Sequence, residues 1–140
     1  MQTDQRKIDL SKIETYLMAY YDVDVVYGKN EDNAYWSDSN LITINNSQNY
    51  RSRLHSLLHE AGHVIIRCEG ATKFKKQFPF MKYGGSAKRG NFNHRLDVFR
   101  EENMAWDEGE KLAQFLGIKL DYEWWLRHRN EALKTYIEWM

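Results

Sequence analysis

The segment His59-Glu60-Ala61-Gly62-His63 sets two imidazoles four residues apart, with a carboxylate directly after the first. On an α-helix, residues i and i+4 project from one face about 6 Å apart, so both rings can converge on one zinc ion at roughly 2.0–2.1 Å. Glu60 is turned about 100° around the helix, out of the ligand pair but within reach of a water held at an open coordination position. A carboxylate so placed can take the proton of that water as it attacks a carbonyl. Gly62 adds a second signal, because glycine inside a helix costs about 1 kcal/mol relative to alanine and implies close approach by another element. A purely structural role would have to bury two histidines and a glutamate on or beside an apolar face, which is expensive without partners.

Catalytic zinc usually takes three protein ligands and a water, so a third donor is expected downstream. Along the apolar positions Phe99, Ala105, Trp106, Gly109, Leu112 and Ala113, the intervening residue is Glu102. A carboxylate in the middle of an inward-facing stripe is what a metal ligand looks like, and Glu102 is favoured over its neighbour Glu101. His55 lies one turn before His59, and the outer pair of His55, His59 and His63 is about 12 Å apart along the axis, too far to share an ion with the middle ring. His55 is therefore expected to support the ligands, cap the cleft or sit satisfied at the surface, and Cys68 is expected in the core.

These residues need elements to hold them. A first helix is expected to start near Ser11, where Ser11-Lys12-Ile13-Glu14 has the form of a capping box, and to turn Ile13, Leu17 and Tyr20 inward. The alternating, β-branched stretch 22–27 reads as a strand, and 34–36 and 41–44 read as a hairpin around Ser37-Asp38-Ser39-Asn40. A long helix over 49–68, capped by Ser47 or Asn46, carries the histidines. Residues 70–93 lack a period, contain Pro79, Gly84-Gly85 and Gly90, and read as a long loop or loosely paired strand with Phe78-Pro79-Phe80-Met81 tucked inward. A helix over 95–116 stops at Gly117, and a last helix over 122–139 is capped by Asp121. Helices mixed with a few short strands imply an α+β domain, single over 1–140, with its core in 10–117 and a C-terminal helix over 121–139.

Composition narrows the partners. Twenty basic and twenty acidic residues cancel to a formal charge of zero, which argues against a general polyanion binder. The zero hides segregation: residues 71–100 carry a net excess of seven positive charges, and residues 101–110 hold five acids and no base. One cysteine fits a reducing compartment, and no apolar run is long enough for a secretory signal or a spanning helix, so a cytoplasmic protein with no membrane partner is expected. The oligomeric state is open.

Leu57-Leu58-His59-Glu60-Ala61-Gly62-His63 and, some forty residues later, Glu102-Asn103-Met104-Ala105-Trp106 resemble small gluzincin-type zinc metallopeptidases, especially the ImmA/IrrE-like peptidases common in phages and mobile elements. The resemblance covers roughly 10–117 and implies a minimal zincin-like fold with His59, His63 and Glu102 as zinc (Zn2+) ligands and Glu60 as general base. It also implies docking of an extended protein or peptide substrate beside 41–44, and, for a phage-encoded chain, the cytoplasm of a bacterial host. The 70–93 segment is longer and more basic than this pattern leads one to expect. No helix-turn-helix accompanies the motifs, so a repressor-cleaving role is not carried over. Tyr83 and His94 are candidates for stabilising the transition-state oxyanion, and the basic segment suits an acidic protein segment. The alternative is a nucleic-acid-binding module that uses residues 71–100, where Phe74, Phe78, Phe80, Tyr83 and Phe92 alternate with cations, with zinc structural or absent.

Overall fold

The computed structural model describes residues 2–81 and 92–139. The architecture is α+β, with five helices among the described residues and a small mixed sheet: α1 (Gln2–Tyr21), β1 (Asp24–Gly28), β2 (Ala34–Trp36), β3 (Leu41–Asn45), α2 (Tyr50–Arg67), α3 (Ala71–Gln77), α4 (Phe92–Phe115) and α5 (Tyr122–Trp139). None of these helices is long and apolar enough to cross a membrane.

The sheet order is β1-β3-β2. β3 pairs in parallel with β1 and antiparallel with β2, which forms the expected hairpin with it. Asn40 closes that hairpin at φ 50°, a left-handed conformation that asparagine tolerates better than most residues. As the central strand, β3 buries Ile42 and Ile44 completely. Thr43, on the opposite face, donates to the Asp32 carbonyl at 2.6 Å and accepts from the Trp36 indole at 2.9 Å, so its buried hydroxyl is satisfied.

α1 begins nine residues earlier than the capping-box pattern suggests, and Ser11 lies exposed in mid-helix. The apolar spacing explains the correction: Leu10, Ile13 and Leu17 form one buried stripe that already starts before Ser11, whereas Tyr20, expected on the same face, is exposed. α2 is capped by Asn49 rather than Ser47 or Asn46, the Asn49 carboxamide oxygen accepting from the Ser52 amide at 2.9 Å. Cys68 is not in the core. α2 ends at Arg67, and Cys68 takes the capping position with its side chain exposed, its sulfur 3.8 Å from the Tyr35 hydroxyl.

Within 70–93 the structure contains a two-turn helix, α3, where a loop was expected. Packing holds it: Phe74 and Phe78 are fully buried with Ile66, Met81, Val98 and Ala105 in a second apolar cluster. Phe78 and Met81 do turn inward, whereas Pro79 and Phe80 stay exposed. Burial of Phe74 and Phe78 removes two of the aromatics that a base-stacking surface would need. Lys82, Tyr83, Lys88 and Arg89 lie outside the described residues. α4 starts at Phe92 and ends as expected before Gly117, whose φ of 72° lets the Ile118 amide donate to the Ala113 carbonyl at 2.8 Å.

Candidate metal centre

α2 and α4 can carry one site because their backbones nearly touch. A Cβ built on Gly62 would lie 2.0 Å from the Ala105 carbonyl oxygen, and one built on Gly109 would lie 2.6 Å from the Leu58 carbonyl oxygen. Each helix therefore presents a glycine to the other's backbone. The close approach anticipated at Gly62 is present, and Gly109 is its counterpart.

At that crossing the side chains of His59, His63 and Glu102 meet, each offering a ligand atom within 4.8 Å of the others. His59 Nε2 is 2.9 Å from Glu102 Oε2 and His63 Nε2 is 3.1 Å from Glu102 Oε1, so one carboxylate faces both rings. Glu101 does not compete for that place. It is 2.8 Å from the other nitrogen of His63, Nδ1, and accepts from the Arg67 guanidinium at 2.9 and 2.7 Å. Adjacent residues on α4 thus divide the work: Glu102 turns into the cleft, and Glu101 orients His63 from behind. Glu60 Oε2 is 3.2 Å from His59 Nδ1. With a carboxylate at each Nδ1 and Glu102 before each Nε2, both nitrogens of each ring donate to carboxylates. The Nδ1 contacts fix the ring orientation, so that loss of the Nε2 proton would leave that lone pair available to a metal. The Trp106 ring stacks on His59 with centroids 4.5 Å apart, and Trp125 meets Trp106 edge-on at 4.9 Å, so the first imidazole has a rigid apolar backing.

Burial by itself lowers the pKa of both histidines, but the surrounding carboxylates reverse it. His59 is raised, chiefly by Glu60 and Glu102, and His63 is raised well above its ordinary value by Glu102 and Glu101. Burial works in the opposite sense on Glu102 and Glu101, yet His63 holds both carboxyls below their usual range, aided by His59 for Glu102 and by Arg67 for Glu101. Buried imidazolium–carboxylate pairs leave the site electrostatically balanced without an ion. Two imidazoles and a carboxylate converging in this way also make a donor set suited to a borderline divalent metal.

The centre opens onto a cleft of about 1130 Å³. One wall comprises β2 and the turn Ser37–Asp38–Ser39; the opposite wall is the α5 face bearing His128, Glu131, Ala132, Thr135 and Tyr136. Docking beside β3 must be corrected, because that strand is paired on both sides; β2 is the edge strand that lines the cleft. His94 lies outside the cleft lining, its Nδ1 3.4 Å from the Phe80 carbonyl, and Tyr83 lies outside the described residues. Tyr136 of α5, which no motif or spacing in the sequence singles out, hydrogen-bonds Glu102 inside the cleft; burial and the carboxylates of Glu102, Glu60 and Glu101 push its pKa up. His55 is 2% exposed and packs on Trp125, so it is no surface residue. No family model, curated protein or solved structure matches this chain.

Proposed function

We propose that the chain is a zinc-dependent metallopeptidase, similar to the ImmA/IrrE-like gluzincins, that hydrolyses a peptide bond in a protein substrate. The observation that carries this reading is the convergence of His59 Nε2, His63 Nε2 and the Glu102 carboxylate beside Glu60 in an open cleft. Zinc, which His59, His63 and Glu102 would hold, would supply a Lewis acid for the scissile carbonyl and would make the attacking water more acidic. Glu60 takes the proton of the attacking water and returns it to the departing amine. The Tyr136 hydroxyl, a donor that stays protonated at neutral pH, is placed to shift from Glu102 to the oxygen on which negative charge develops. An extended substrate lies between β2 and α5, adding main-chain hydrogen bonds at the strand edge. The exposed lysines of α3, Lys73, Lys75 and Lys76, favour a substrate with an acidic flank.

Metal analysis tests the reading. The purified chain should hold zinc tightly, and His63→Ala should lose it. Because His59 and His63 carry raised pKa values without metal, loading must displace protons, and affinity should climb with pH by up to about tenfold per unit for each proton displaced. A chain that takes up no zinc at neutral pH overturns the proposal. For the tyrosine, Tyr136→Phe should keep its zinc and lose roughly 10²-fold in kcat, the usual scale for deleting one oxyanion donor. An unchanged kcat would remove Tyr136 from the mechanism.

A further inference from the structure

One turn before His59 on α2, His55 meets His128 of α5, their Nδ1 atoms 2.6 Å apart. Both rings line the cleft, and so does Glu131, three residues after His128 and on the same side of α5. Among the described residues only His59, His63 and Glu102 already bring three ligand atoms together, and none of His55, His128 and Glu131 belongs to that group, so Glu131 must move to join the imidazole pair. We propose that His55, His128 and Glu131 form a second binding site in the same cleft for a borderline divalent transition metal of the zinc, nickel or copper class.

The chemistry of the pair supports a ligand rather than a plain hydrogen bond. Two neutral imidazoles facing each other through Nδ1 must adopt opposite tautomers, one donating and one accepting, and their separation is at the short end for such a bond. Replacing the shared proton by an ion about 2.0–2.1 Å from each nitrogen requires the two atoms to open to roughly 3.3 Å for tetrahedral coordination. His128 is only half-buried on α5 and has room to make that adjustment, while His55 is fixed against the Trp125 ring at 5.2 Å. Glu131 is exposed and free to swing onto the ion as a third donor, with cleft water completing the shell.

The charges facing the pair come from three helices. Arg51 of α2 and Arg6 of α1 act on His55 from the positive side, and Arg51 also acts on His128, whereas Glu131 acts on His128 from the negative side. Burial, then His128 and these arginines, take His55 down to about 3, and burial chiefly lowers His128, so both rings are neutral at physiological pH. To ligate through both Nδ1 atoms, the ring that carries the shared proton shifts it to its own Nε2, and no net proton is lost. Arg51 itself is held with its guanidinium 3.9 Å over the Trp124 ring, where the aromatic face takes part of its charge. With two imidazoles, one mobile carboxylate and a cation nearby, the site should be the weaker of the two, binding in about the micromolar range.

The site shares no residue with the His59 centre, so the two stand or fall separately. Equilibrium dialysis of the full chain against buffered zinc, read as bound metal per chain, is the test. The wild type should fill in two steps, one ion tightly and a second about micromolar. His128→Asn should lose the second ion alone, with the circular dichroism of the fold unchanged, and His63→Ala should lose the first while keeping the second. Nitrogen-15 NMR of the histidines should move the His128 Nδ1 signal during the second step. Absence of any ion that His128→Asn removes overturns the site; absence of any ion that His63→Ala removes would instead count against the His59 centre.

Discussion

Gly62→Ala should lower the melting temperature and weaken zinc binding together. Alanine is the better helix former by about 1 kcal/mol, so at an ordinary helical position this change would stabilise the chain. Here the new methyl meets the carbonyl oxygen, carbonyl carbon and Cα of Ala105 at 2.0, 2.7 and 2.9 Å. All three are backbone atoms, so no rotamer change relieves the clash, and α2 and α4 must part by about 1.4 Å to reach ordinary contact. Overpacking of this kind costs about 1–3 kcal/mol or more, and a rigid neighbour puts it at the upper end. A net loss of about 2–3 kcal/mol corresponds to a fall of roughly 6–12 °C in a domain of this size. The displacement also draws Glu102 away from the two Nε2 atoms it faces at 2.9 and 3.1 Å, so zinc affinity should drop by at least about tenfold. Thermal melts with and without zinc measure both effects. A melting temperature equal to or above that of the wild type would show that the helices can separate freely, and the account of Gly62 would fail.

That glycine also shows what kind of information the sequence carries on its face. Gly62, the His59–His63 spacing, the 34–36 and 41–44 hairpin and the Gly117 stop are local signals: each is a residue type whose conformational cost or projection is set within one turn. Glu102 was legible for the same reason, as a carboxylate interrupting an apolar stripe, and Glu101 was separable from it only once the position of Arg67 was known. The start of α1 was misread because Ser11 and Glu14 have capping chemistry that helix packing through Leu10 overrides. α3 is hard to read because seven residues with no side-chain cap are too short to hold a helix by themselves, even with good helix formers among them; Phe74 in the second apolar cluster holds them. Tyr136 and His128 could not be assigned from spacing at all. Their partners, Glu102 and His55, lie on other helices, and nothing in the α5 pattern distinguishes a side chain aimed into a cleft from one that completes a core.

Glu60→Gln should separate chemistry from metal binding more sharply than any other change in the chain. The substitution keeps the size of the side chain and its capacity to lie beside His59 Nδ1, 3.2 Å away, but an amide cannot accept and return a proton at neutral pH. General-base catalysis contributes about 10²–10⁴-fold, so the cleavage rate should fall by roughly 10³. Zinc should stay, because two consequences of losing the carboxylate oppose each other. One nearby negative charge is removed from the bound dication, which weakens it. The same charge is a leading cause of the raised His59 pKa, so its loss makes the ring easier to deprotonate and eases loading. Affinity should therefore remain within about an order of magnitude of the wild type. A chain that binds zinc and substrate yet cannot turn over is also a trap: immobilised Glu60→Gln should retain intact proteins that the wild type releases as fragments, and the flanks of the cleaved bond would reveal whether acidic residues face α3. Near-normal cleavage by the variant would remove Glu60 as the base. Loss of zinc would instead make Glu60 a ligand, and the role given to Glu102 would have to be reassigned.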